Sequence, residues 1–165
     1  RMAVARSGGG WLEMRGRGRD RGDRGALVAV ATPNATHFEI ARAFLAAGFN
    51  VLCEKPMTMT VEEGEEIVRV ARASGKVCAV NYCYSAYPMV REARAMGRAG
   101  ALGRIRLVVT NFSHGHHGDA SDAGNPRVRW RSDPATAGVS GQFADCGIHA
   151  LHMASFIWDD QVERL

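Results

Sequence analysis

Cysteine and proline are scarce in this sequence, at four and five of 165 residues, and aromatic side chains make up only 7%. Cys53, Cys78, Cys83 and Cys146 show neither the paired CxxC spacing of a zinc site nor the density of a disulfide framework, so reduced thiols are expected. Long apolar runs are missing too. The strongest, at 26–31 and 150–158, fall well short of the ~20 residues that cross a bilayer, and no charged-then-apolar leader opens the chain. No membrane partner is expected, and the expected localisation is cytoplasmic. Acidic residues are also short of balance, 17 against 21 Lys and Arg. The whole surplus of four sits in residues 1–25, where seven arginines face Glu13, Asp20 and Asp23. A basic nucleic-acid module could be built on such a segment, but it lacks interleaved aromatics and helical periodicity, so no nucleic-acid partner is expected. Residues 1–25 read as an irregular, poorly ordered Gly/Arg-rich stretch that opens on Arg1 rather than on a strand, which suggests a chain whose native N-terminus is missing.

What is present is regular from Ala26 onward. Ala26–Ala31 is an apolar run of strand length that stops at Thr32-Pro33-Asn34. Thr36 with Glu39 has capping-box spacing, Phe38, Ala41, Phe44 and Leu45 recur at helical intervals, and Gly48 suits the helix exit. The unit then repeats. Asn50–Glu54 is a short strand stopped by Pro56, Thr60 with Glu63 opens a helix that ends near Gly75, and Lys76–Asn81 is a third strand. Pro88–Gly100 reads as a helix with Met89, Val90, Ala93 and Met96 on one face. Alternating strands and helices of this length make an α/β class with right-handed crossovers and a parallel sheet. Arg104–Phe112 then reads as a strand, Ser113–Gly141 as a long polar stretch, and Ile148–Trp158 as an apolar helix. A boundary near Leu102 divides the chain into residues 1–25, 26–102 and 103–165.

Three places could carry chemistry. The turn Thr32-Pro33-Asn34-Ala35-Thr36-His37 lies at the carboxyl end of a parallel strand and opens a helix, where α/β sheets bind ligands; the same residues also suit a plain turn and cap. Glu54-Lys55-Pro56 follows a strand at the same edge. A lysine there is partly desolvated and able to exchange a proton with a hydroxyl, although spacing alone favours a surface lysine paired with Glu54. Asp145 and His149 stand four residues apart at a helix start, so a carboxylate can orient an imidazole as general base, or Asp145 can cap the helix while His149 packs inside it. His114, His116 and His117, beside Asp119 and Asp122, could coordinate a metal, but Gly115 and Gly118 give them no ordered scaffold and no metal is expected.

Ala31-Thr-Pro-Asn-Ala-Thr-His37, Cys53-Glu-Lys-Pro56, Gly100-Ala-Leu-Gly-Arg-Ile105, Trp130-Arg131 and Asp145-Cys-Gly-Ile-His149 occur in the order in which the Gfo/Idh/MocA family of NAD(P)-dependent oxidoreductases carries such motifs. From about Leu27 to Leu165 the chain resembles that family. The resemblance implies a partial Rossmann-type parallel sheet followed by the beginning of an α+β domain with an open, mostly antiparallel sheet. It implies NAD or NADP as cofactor, a sugar, inositol or related polyol oxidised at a carbinol carbon, and a homo-oligomer when full length. Lys55, Asp145 and His149 would be catalytic, His149 or Lys55 taking the hydroxyl proton while the other polarises the oxygen. Thr32, Pro33, Asn34 and His37 would line the adenine-to-ribose side of the cofactor, Glu54 and Lys55 its nicotinamide end, and Trp130-Arg131 would approach from the second domain.

Departures from the pattern accompany the matches. The family opens with a strand, a GxGxxG turn and a helix, and none is legible before Leu27. Gly16-Arg-Gly-Arg-Asp-Arg-Gly22 has its last glycine one residue late and no apolar strand in front. The residue that would choose between NAD and NADP is missing with it. A catalytically incomplete chain that acts only by packing with a partner is therefore the competing reading.

Overall fold

A computed structural model describes residues 2–5, 27–115, 118–159 and 162. Four parallel strands lie in sequence order: β1 (Met2–Ala5), β2 (Leu27–Val30), β3 (Asn50–Glu54) and β4 (Cys78–Asn81). Strand β1 corrects the reading of residues 1–25 as irregular throughout. Met2–Ala5 is apolar and just long enough to pair with Leu27–Val30, a signal drowned by the glycine and arginine after it. The Gly16–Gly22 segment lies outside the described residues.

Helix α1 (His37–Ala46) connects β2 to β3 and α2 (Val61–Ser74) connects β3 to β4, as the two strand-helix repeats require. Both pack on the sheet over Val28, Val30, Ile40, Ala41, Phe44, Leu45, Val51, Cys53 and Ile67. In β2 only Val28 and Val30 are buried, so described helices cover one face of the sheet, and Leu27 and Ala29 on the other are half-covered. Thr60 caps α2 as expected, accepting from the Glu63 amide at 3.2 Å, and Gly75 ends it at φ 63°. The other capping box does not form. A short 3-10 turn, Asn34–Thr36, precedes α1, so Thr36 has helical backbone angles and no cap bond, and Glu39 pairs with Arg42 instead.

Beyond the sheet, α3 (Pro88–Arg98) packs against α6 (Ile148–Trp158), with α4 (Pro126–Arg129) and α5 (Pro134–Ala137) between them in sequence. Met89 and Met96 are exposed, which corrects the expected apolar face of α3. Its contact runs through Gly97, where an added Cβ would come within 3.2 Å of the Trp158 ring, and through Arg94, whose guanidinium lies 4.4 Å from the Phe156 ring centroid. Arg104–Phe112 is not a strand either. A strand needs a neighbour for its amides and carbonyls, none among the described residues pairs with it, and Leu107 and Val109 are 80% and 81% exposed.

Candidate active site at the carboxyl edge of the sheet

Parallel strands deliver their C-terminal residues to one edge, and here β2 ends at Val30, two residues before Thr32, while β3 ends at Glu54, directly before Lys55. Glu54 stands opposite Asn81 in the β3–β4 register, and the Asn81 amide donates to its Oε1 at 2.6 Å. That carboxylate is thus engaged across the sheet, leaving Lys55 to point elsewhere. Its Nζ reaches Asp145, 90 residues away, donating to Oδ1 at 2.7 Å and to the main-chain oxygen at 2.6 Å. The alternative of a surface Lys55–Glu54 pair is therefore not what forms. Lys55 and Asp145 are largely covered, with side chains 14% and 18% exposed. The peptide bond from Lys55 to Pro56 is cis.

Asp145 lies in a π-turn, Phe143–Gly147, that runs directly into α6. Such a turn widens the helix by one residue and re-aims its side chains. Arg131, on the 3-10 turn Trp130–Ser132, places Nε 3.2 Å from Asp145 Oδ2 and stacks its guanidinium 4.6 Å from the Trp130 ring centroid. Burial alone would raise the Asp145 carboxyl, but the hydrogen bond and charge of Lys55 and the charge of Arg131 outweigh it and hold the group below the ordinary aspartate value.

His149 is buried at 6% exposure among rings. Tyr84 meets it edge to face at 4.7 Å and Phe112 lies tilted at 5.3 Å. One turn on, His152 stacks on Tyr82 at 3.8 Å. Burial, followed by the nearby Lys55 charge, lowers the His149 pKa from its ordinary value despite the opposing pull of Asp145 and Glu54. Both oxygens of Asp145 are taken by cations, so the expected carboxylate-imidazole pairing is replaced by a Lys55–Asp145–Arg131 cluster with a ring-packed His149 beside it. Sequence reasoning missed Tyr84 and Phe112 as neighbours of His149. Only their aromatic character in otherwise polar segments could have flagged them.

The turn after β2 is built differently from the expected cofactor lining. His37 is 1% exposed, with Nδ1 2.7 Å from the Pro56 oxygen and Nε2 2.7 Å from the Thr32 oxygen. It braces the two loops from inside and has no surface with which to touch a cofactor, a correction to the role carried over by resemblance. Asn34 is buried as well, its amide donating to the Ala137 oxygen at 3.0 Å. The Thr36 hydroxyl sits 2.8 Å from the Pro33 oxygen and 2.7 Å from Thr32 Oγ1, so its one proton serves the carbonyl while it accepts from Thr32. Ala31 and Ala35 are exposed there, and Pro33 and Thr36 are half-buried. Among the described residues no group of three metal-binding side chains assembles, and His116 and His117 lie outside them.

The sheet edge thus carries a lysine, with a carboxylate from the turn Phe143–Gly147 on it and an imidazole from α6 nearby. Two family models match, the NAD-binding Rossmann fold of the GFO/IDH/MocA oxidoreductases over residues 21–82 and the GFO/IDH/MocA C-terminal domain over residues 90–165. The chain belongs to that family. Among curated relatives it is 41% identical over 134 residues to an uncharacterized oxidoreductase, YfiI, of Bacillus subtilis, covering 79% of this chain and 34% of that protein. It is 34% identical over 131 residues to levoglucosan dehydrogenase of Pseudarthrobacter phenanthrenivorans, covering 79% and 32%. An inositol dehydrogenase homolog of Azotobacter vinelandii, crystallised with NAD+, superposes with TM-score 0.80 at 40% identity over 90% of this chain and 37% of its own. The same homolog with NADH and myo-inositol gives TM-score 0.76 at 38% identity, over 90% and 36%. The chain thus spans about a third of the length of the relatives it matches. No described helix is long and apolar enough to cross a membrane.

Proposed function

We propose that this chain carries the proton-transfer residues of an NAD-dependent dehydrogenase acting on a carbinol carbon of a cyclic polyol or sugar. The observation that carries the reading is the Lys55–Asp145 contact, made across 90 residues at the carboxyl edge of the sheet with His149 alongside. Relatives named for levoglucosan and myo-inositol support the substrate class, and structures of a relative with NAD+ and NADH support the cofactor. The edge itself fits a dinucleotide: the exposed residues beside the β2 turn are the small Ala31 and Ala35, the Pro33 ring and Thr36 are half-buried, and a cation stands at the neighbouring strand end. When bound, NAD supplies the hydride acceptor.

The cluster supports His149 over Lys55 as the base. Lys55 is the cationic partner of the Asp145 carboxylate and gives two N–H bonds to that residue, which leaves a third to polarise a substrate oxygen. His149 is pushed toward its neutral form by burial and by the Lys55 charge, so a ring nitrogen is free to accept the hydroxyl proton. With the hydride acceptor bound, the hydroxyl O–H bond would break toward His149 while Lys55 holds the oxygen that becomes the carbonyl. Tyr84 and Phe112 exclude water from the imidazole. Turnover in the full protein with Lys55→Ala or His149→Ala should fall by roughly a hundred- to ten-thousandfold with cofactor affinity nearly unchanged. Near-normal turnover by His149→Ala would remove this assignment.

A further inference from the structure

We propose that Arg131 is a positioning residue for Lys55, acting through Asp145, and that Asn34 ties it to the turn where the cofactor is expected. The inference rests on the dehydrogenase reading, and it assigns Arg131 a role other than cofactor contact.

Three links support it. A lone carboxylate that grips an ammonium through one oxygen can pivot about its χ2 bond and carry the ammonium with it. Here Lys55 hydrogen-bonds Oδ1 while Arg131 Nε stands 3.2 Å from Oδ2 as an ion pair outside hydrogen-bond alignment, so the charge on the second oxygen restrains the carboxylate from turning away from the lysine. Arg131 is itself placed by its neighbour: its guanidinium lies on the Trp130 ring, and the Thr136 hydroxyl holds the Trp130 main chain, donating to its oxygen at 2.7 Å. Thr136 belongs to α5, whose last residue, Ala137, accepts from the buried Asn34 amide. One connected path therefore runs from the strand-end turn of β2 through α5 and Trp130-Arg131 to Asp145 and the lysine. Occupancy of the turn at Asn34 and alignment of Lys55 are coupled along it. A conserved charge is insufficient for this role, because a guanidinium supplies the flat stacking surface that an ammonium lacks.

The test uses Arg131→Met and Arg131→Lys, each read in two ways. In the first, the Lys55 ammonium is followed by 15N NMR of the chain itself, without turnover. Two fixed acceptors should slow its proton exchange in the parent, Arg131→Met should speed that exchange, and Arg131→Lys should restore it in part. In the second, steady-state kinetics of the full protein should show kcat lower by about ten- to a hundredfold in Arg131→Met with cofactor KM within about twofold. Asn34→Ala should change both readouts in the same direction by less. A rise in cofactor KM with kcat preserved would make Arg131 a cofactor contact and overturn the proposal, as would an unaltered Lys55 ammonium in Arg131→Met. If Lys55 is released yet Lys55→Ala turns over normally, the positioning stands and the dehydrogenase assignment of Lys55 falls.

Discussion

Residues 27–81 and residues 88–159 are held together by different forces. In the first region Leu45, Val51, Ala41 and Cys53 are completely buried, and two helices close over one sheet face. In the second, Val128, Ala137 and Ala144 are the only buried apolar residues among those described, and the connections are charged, hydrogen-bonded or aromatic: Lys55 and Arg131 to Asp145, Asn34 to Ala137, Arg94 and Arg98 to Asp159, Tyr84 and Phe112 to His149. The difference shows how a site is assembled at a seam. An apolar core fixes the strand ends and does not depend on pH, while directional polar contacts bring Asp145 and His149 to that edge and aim them.

The largest break in this contrast comes from the core. Leu45→Ala removes a fully buried side chain from between α1 and the sheet and should cost about 2–5 kcal/mol, enough to lose most of the stability of a small domain. Denaturant midpoints measure it. The same Leu→Ala change at the exposed Leu107 should leave the midpoint nearly where it was, within about 0.5 kcal/mol. Equal losses at the two positions would mean that Leu107 packs in a way the exposure does not show.

Acid should act on the second region first. His149 has a lowered pKa in the fold, so the unfolded chain binds its proton more readily, and the stabilising contribution is complete above the ordinary histidine value of about 6.5. It is lost as pH falls from there toward the lowered folded value. Asp145 also has a lowered pKa, so its contribution holds above about 3.9 and fades as pH drops through its folded value, releasing Lys55 and Arg131. Protection factors of the α6 amides, taken against the intrinsic exchange rate at each pH, should therefore fall in two stages on acidification while β3 amides stay protected. Cys53, pushed up to about 12 by burial, stays a thiol throughout. Simultaneous loss of protection in α6 and β3 would show one cooperative unit in place of two.

Legibility in the sequence follows the same division. Strands β2 to β4 and helices α1 to α3 were readable within a few residues because apolar periodicity and breakers report burial against a sheet. The convergence of Lys55 and Asp145 was expected from the resemblance, since spacing alone cannot join positions 90 residues apart. What escaped was whatever depended on a partner: which cation Asp145 holds, that His37 serves two carbonyls, and that Arg104–Phe112 lacks a neighbour with which to form a strand. Strand β1 escaped for a local reason, as four apolar residues before a glycine- and arginine-rich stretch carry little periodicity.

The finest distinction concerns the α3–α6 contact, where charge and packing act together. Arg94 and Arg98 both pair with Asp159, which ends α6 in the left-handed region at φ 59°, and Arg94 also donates to the Phe156 oxygen. Asp159 and Arg98 are 45% and 59% exposed, so added salt screens their attraction, whereas the Arg94–Phe156 stacking and the close approach of Trp158 to Gly97 are not screened. Raising ionic strength from about 0.05 to about 0.5 M should therefore speed amide exchange at Phe156–Trp158 by no more than about threefold. Asp159→Asn should reproduce that increase and abolish its salt dependence. Gly97→Ala should give a salt-independent increase by pushing against the indole. An Asp159→Asn chain that keeps the parent's salt response would assign the response to other charges and leave packing alone to hold the two helices.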